Sequence, residues 1–212
     1  MGKISQGVLG GFSGKVGNVV GGTWKGIDYM RIKPSNVANP RTAGQVNQRS
    51  KFSTTLKFLQ TMKGFIRVGF KSYANRMSQF NAAMSYNLNN AVSGTGTNVT
   101  LDYANALVSR GGLTGVFNGN ATSSSNDVEF KWTDNSGSGN AKETDKAMFL
   151  VYNPSKELSI YETAGPDRST EAYKLIVPGD FVGDDVEVYM GFVSEDGKSV
   201  SDSEYLGSVT IV

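Results

Sequence analysis

Hydrophobic and polar positions change period twice along the chain. Residues 16–20 (VGNVV) and 23–33 (TWKGIDYMRIK) are rich in β-branched and aromatic side chains, with Gly21-Gly22 between them. Two glycines between such runs signal a two-residue hairpin turn, because glycine accepts the positive φ these turns need. Trp24, Ile27, Tyr29, Met30 and Ile32 give the second run its apolar surface. Alternation falters at Gly26, where a β-bulge is expected. Residues 1–13, small and glycine-rich, read as an extended arm, and 34–45 as a polar connector with two prolines.

The period then lengthens. Thr42-Ala-Gly-Gln45 has the form of a capping box and predicts a helix start. Phe52, Leu56, Leu59, Ile66, Phe70, Tyr73, Met77, Phe80 and Met84 follow at helical spacing. Gly64 is expected to break this stretch into two helices. Arg49, Lys57, Arg67 and Lys71 would line a flank away from the apolar stripe. Residues 89–98 read as a loop. Residues 99–116 read as a strand with a turn at Arg110-Gly111-Gly112, or as a short helix over 102–110.

From about residue 117 the period falls to two. NDVEFKWT sets Val128, Phe130 and Trp132 against Glu129 and Lys131. Further strand-like runs occupy 146–153, 158–163, 171–178, 185–194 and 204–212, separated by Gly, Pro, Asn, Asp and Ser. Short antiparallel strands at such spacing suggest a β-sandwich. The expected fold class is α+β: an N-terminal β-hairpin plus helical segment, then a C-terminal immunoglobulin/fibronectin-like antiparallel β-sandwich. The expected domains are 1–116 and 117–212.

Charge supports that division. Residues 1–110 hold fourteen Lys and Arg against only Asp28 and Asp102, whereas 111–212 hold seven against seventeen Asp and Glu. The small net charge of +2 conceals two modules of opposite sign. The basic half can face nucleic acid, an acidic protein surface or anionic lipid. Alternatively it packs on the acidic half, each neutralising the other.

Composition removes most chemistry. With no Cys and no His in 212 residues, disulfides, thiolate or imidazole metal sites and His-based catalytic triads are excluded. The phosphate-loop pattern G-x-x-x-x-G-K-[ST] is not met: Thr23-Trp24 follow the Gly17–Gly22 spacing where Lys and Ser or Thr belong. DNSGSGNAKETD (134–145) partly copies a calcium loop through Asp134, Ser136, Ser138, Gly139 and Asp145. Its neutral serines and terminal Asp make a polar loop the better reading. The acid pairs Asp184-Asp185, Glu195-Asp196 and Asp202/Glu204 sit beside turns and read as solvated. No catalytic residue, cofactor, metal or small-molecule substrate is expected. No run is apolar enough for a signal-peptide core or a membrane span, so a protein kept in the producing cell's cytoplasm is expected, and incorporation into a virion or other particle is compatible with that.

What remains is a basic hairpin with aromatics. The expected partner-binding residues are Lys15, Trp24, Lys25, Tyr29, Arg31, Lys33, Arg41 and Arg49. Four blocks, GKVGNVVGGTWKGIDYMR, NPRTAGQVNQR, WTDNSGSGNAKETDKAMFLVYNP and VEVYMGFVSEDGKSVSDSEYLG, occur in this order. Through them the chain resembles a domain-of-unknown-function family of about this length, associated with Bacteroidetes genomes and their phages. The resemblance implies no activity and carries no catalytic residue. The expected function is a non-enzymatic structural or assembly protein. It would dock on a protein partner or on itself through the basic half, as an accessory capsid- or tail-attached component does. The alternative is a nucleic-acid-binding protein acting through the same half.

Overall fold

The computed structural model describes residues 3–4, 10–35, 41–96 and 98–212. Most of the expected arm (1–2 and 5–9), the middle of the connector (36–40) and Thr97 lie outside the described residues. The chain divides into two compact units, Met1–Thr42 and Ala43–Val212.

In the first unit, β1 (Lys3–Ile4), β2 (Phe12–Val16), β3 (Val19–Trp24) and β4 (Ile27–Ile32) form one antiparallel sheet in chain order. Gly21-Gly22 is not the turn the sequence suggested: both lie inside β3, where Gly21 pairs with Gly14 and Met30, and Gly22 with Tyr29. The turns fall at Gly17-Asn18 and at Lys25-Gly26. Lys25 (φ 49°) and Gly26 (φ 78°) both adopt positive φ, as a tight hairpin turn requires, so Gly26 makes a turn and not a bulge. The strand glycines serve close approach. A Cβ on Gly21 would stand 2.3 Å from the Phe12 carbonyl oxygen and 2.7 Å from its ring.

The second unit opens with α1 (Ala43–Thr61), directly after Thr42, followed by α2 (Lys63–Gly69) and α3 (Gln79–Asn90). The break between α1 and α2 is at Met62 (φ −117°), ahead of the glycine expected to cause it. Gly64 lies within α2, where a Cβ would meet the Tyr161 hydroxyl at 2.5 Å. Ser78 caps α3 by accepting from the Asn81 amide at 3.1 Å. A hairpin, β5 (Val92–Thr95) and β6 (Asn98–Leu101), follows. From 102 to 119 the chain forms neither the expected long strand nor a helix.

Seven strands complete the unit: β7 (Asn120–Ser124), β8 (Asp127–Lys131), β9 (Lys146–Asn153), β10 (Leu158–Glu162), β11 (Ala172–Ile176), β12 (Asp185–Val193) and β13 (Glu204–Thr210). They form a four-stranded sheet in the order β10-β9-β12-β13 and a three-stranded sheet in the order β11-β8-β7, both antiparallel. The two sheets share a core of Val128, Phe130, Phe149, Val151, Val188, Met190 and Phe192.

The four-stranded sheet is buried on its other face too. Alternate residues of the same two strands, Met148, Leu150, Tyr152, Tyr189 and Val193, pack with Phe58, Leu59, Met62, Phe65, Ile66 and Phe70 of the helices. The helices and the C-terminal strands therefore fold as one body, and residues 116 and 117 fall within it. Burying each such apolar side chain is worth roughly 1.5–3 kcal/mol. Of the helical stripe, Phe52, Tyr73 and Met77 stay exposed.

Candidate docking surface on the N-terminal sheet

Cross-strand partners share a sheet face, and side chains alternate faces along each strand. The register therefore sorts β2–β4 into two surfaces. One carries Phe12, Val16, Val19, Met30 and Ile32, with Asp28 and Thr23. The other carries Lys15, Val20 and Arg31 in one row, Gly22 and Tyr29 in the next, and Trp24 with Ile27 in the third.

Both surfaces carry exposed large apolar side chains. Met30 is 71% exposed and Ile32 75%, while Trp24 and Tyr29 are 46% and 48% exposed. On the basic surface Gly22 leaves room for Tyr29, whose hydroxyl would lie 3.0 Å from a Cβ there. The Lys25 ammonium stands over the Trp24 ring, 5.5 Å from its centroid. Lys33 continues from β4, its amide donating to the Asn18 carbonyl at 2.7 Å. Asp28, the one acid of residues 1–42, accepts a hydrogen bond from Thr23 on the opposite surface. Among the described residues no acid pairs with Lys15, Arg31 or Lys33.

Six of the eight sequence candidates, Lys15, Trp24, Lys25, Tyr29, Arg31 and Lys33, thus belong to this sheet or its borders. Arg41 (φ 49°) precedes α1, and Arg49 lies exposed on it. Neither is part of the sheet.

Several charged groups of the larger unit are used internally. Lys57 pairs with Glu157 at 2.8 Å, and Lys71 donates to the Gly197 carbonyl at 2.8 Å. The Arg110 guanidinium stacks between Tyr73 and Tyr86, 4.3 and 4.9 Å from their centroids. Lys156 and Asn153 both bind Asp184 and hold its carboxyl below the usual range. Asp196 is held lower still, by the Ser194 hydroxyl first and then by the amide and ammonium of Lys198. Asp202 accepts from the Gly111 amide at 2.9 Å. These acids act as loop ties.

The calcium-like loop is tied in the same way. Asp134 accepts from the Ser136 amide at 2.9 Å and its hydroxyl at 3.0 Å. Asp145 is buried against Arg168 at 3.1 Å, and among the described residues no cluster of three or more acids could hold a metal ion.

Two buried polar anchors gave no sequence signal. Arg168 is fully buried. It donates to the carbonyls of Thr114 and Gly115, to Asn135 Oδ1 and to Asp145, and stacks 3.7 Å from the Phe192 centroid. Burial presses its pKa down against the pull of Asp145. Asn87 of α3 donates to the Leu107 carbonyl at 2.9 Å and accepts from the Leu107 amide at 3.0 Å. A tyrosine cluster, buried at Tyr152 and Tyr189 and partly buried at Tyr103 and Tyr205, packs with the helices: Tyr189 donates to the Tyr103 carbonyl at 2.7 Å and Tyr205 to Glu187 at 2.5 Å. Burial pushes the phenols of Tyr103, Tyr152, Tyr189 and Tyr205 up.

A groove of about 630 Å³ between α1 and α3 is lined by Phe52, Phe80, Met84 and Leu88 with Gln48 and Lys51, and holds no acid–base pair. No helix among the described residues is long and apolar enough to cross a membrane. No curated protein and no solved structure matches the chain. A model of a family of unknown function, DUF6266, matches residues 11–207, nearly the whole chain, and the protein belongs to that family.

Proposed function

We propose that the chain is a non-enzymatic docking and assembly protein. Its N-terminal sheet attaches to a protein partner or to further copies of the chain, and its larger unit, with an immunoglobulin-like pair of sheets, is displayed. The supporting observation is a one-layer sheet that leaves Met30, Ile32, Trp24 and Tyr29 exposed. Stable domains bury an apolar sheet face against a second layer. An accessory virion component, attached to a capsid or tail, has this need for a separate attachment element. The test is charge reversal of Arg31, Lys33 and Arg41 together, followed by co-sedimentation with the native assembly. Loss of co-sedimentation with the larger unit still folded is expected; wild-type incorporation would refute the reading.

A second reading, nucleic-acid binding through the basic half, is favoured by one observation. The register places Lys15 and Arg31 on the same surface as Trp24 and Tyr29 and sends Asp28 to the other.

A further inference from the structure

We infer that the basic surface of the N-terminal sheet binds single-stranded nucleic acid, with Tyr29 and Trp24 as base-stacking platforms and Arg31, Lys15 and Lys33 as phosphate contacts. The inference rests on the second of the two readings above, the sheet as a nucleic-acid contact element, and it names the class of nucleic acid.

Residues 1–42 hold six basic residues and one acid, and that acid is on the opposite surface, bonded to Thr23. Within residues 1–42 a ligand on the basic surface meets no carboxylate, so the complement is a polyanion.

The aromatics then select among polyanions. Trp24 and Tyr29 are diagonal cross-strand neighbours, because Trp24 lies opposite Ile27 and Tyr29 is two residues further along β4. Such neighbours stand about 7–8 Å apart. Arg31 follows one row beyond Tyr29, about 7 Å along the strand. Lys15 lies in the same row as Arg31, two strands away, about 10 Å across. The surface therefore offers two rings at one end and cations at the other and along the side.

Both rings are half exposed on an open sheet, although burial would be the ordinary fate of a Trp and a Tyr. Successive unpaired bases can stack on such rings, whereas a duplex keeps its base faces inside the helix. An acidic protein would meet the cations but would leave the two rings without a specific role.

The test is fluorescence anisotropy of a labelled oligo-dT and an oligo-U with the full chain, at 50 mM and 200 mM salt. With about three phosphates neutralised, affinity is expected to fall roughly 20-fold between the two salts. Trp24→Ala and Tyr29→Ala should each weaken binding about tenfold while leaving the salt slope unchanged. Trp24→Phe and Tyr29→Phe should retain most of it. Lys15→Gln with Arg31→Gln should instead reduce the log–log salt slope by about 1.4. All these side chains are exposed, and circular dichroism checks that the variants fold.

Preference for a duplex of equal length, binding indifferent to both alanine changes, or binding to polyglutamate in place of the oligonucleotides would each overturn the inference. So would no binding at 50 mM salt. If that last result came with loss of co-sedimentation on charge reversal of Arg31, Lys33 and Arg41, the docking function would stand and the nucleic-acid partner alone would fall.

Discussion

Arg168 offers the sharpest test of how the larger unit holds its loops. Its guanidinium is fully buried and reaches Thr114 and Gly115 in one loop and Asn135 and Asp145 at either end of another. Arg168→Met keeps the apolar stem and a contact for Phe192 but removes every donor. Removing one partner of a buried ion pair costs about 3–5 kcal/mol, because the other charge stays desolvated. Asp145 retains one bond, from the Lys142 amide at 2.8 Å, which places the expected loss at the lower end, about 3–4 kcal/mol. For a unit of this size that lowers Tm by roughly 6–16 °C. Arg168→Lys restores the charge without the planar fork, so it should recover only part. Asp145→Leu added to Arg168→Met should recover part again, since no lone carboxylate remains, while the Thr114 and Gly115 carbonyls still lack their donor. Urea unfolding followed by Trp132 fluorescence reads this directly, in a Trp24→Phe background that leaves one tryptophan. Trp132 is buried and its indole N–H donates to the Arg168 carbonyl at 2.7 Å. A loss under about 1 kcal/mol for Arg168→Met, less than an ordinary neutral hydrogen bond, would refute the network as a stability element.

Three further outcomes are expected. Asn87→Leu leaves the amide and carbonyl of Leu107 without their partners and should cost about 2–5 kcal/mol, with faster hydrogen exchange at the Leu107 amide. Gly21→Val should disrupt the N-terminal sheet alone, because its side chain would strike the Phe12 carbonyl and ring; limited proteolysis should then cut within residues 10–35 while the Tm of the larger unit holds. Acid should weaken the larger unit below about pH 4: Asp184 and Asp196 have folded pKa values under the unfolded value of about 3.9, so the folded state binds fewer protons and its advantage is lost as pH falls through the folded pKa. The urea midpoint should drop from pH 6 to pH 3, and by less in Asp184→Asn.

The element types were legible wherever a period ran long enough. The capping sequence at Thr42 placed the start of α1, and alternation in 185–194 placed β12. Glycine was the ambiguous residue. Gly21-Gly22 has the composition of a turn, but glycine serves equally where a ring must cross a strand, and only the position of Phe12 decides between the two. Gly64 misled for the same reason, since it makes room for Tyr161 and does not break the helix. The second buried face of β9 and β12 was hidden because Tyr152, Glu187 and Tyr189 look polar, and their burial depends on partners such as Tyr103 and Tyr205 far away in sequence. Arg168 could not be found from sequence at all. A single arginine between Asp167 and Ser169 has the composition of a surface loop, and its four acceptors come from residues 23 to 54 positions distant.

The charge asymmetry of the sequence resolves into two physically different populations. In the helices and the segment after them, three of the eight cations are drawn into the larger unit's own chemistry. Lys57 meets Glu157, Lys71 a backbone carbonyl, and Arg110 two tyrosine rings. For these three the partners lie within the larger unit itself. The cations of the N-terminal sheet differ. Their unit holds one acid, the strand register turns that acid to the opposite face, and Thr23 engages it there. Concentrating like charge on a one-layer sheet opposes folding through self-repulsion, and leaving Trp24 and Tyr29 beside it forgoes the burial both rings would gain in a core. On the proposal of a single-stranded ligand, both costs would be offset, because its phosphates would neutralise the cations and its bases would cover the rings.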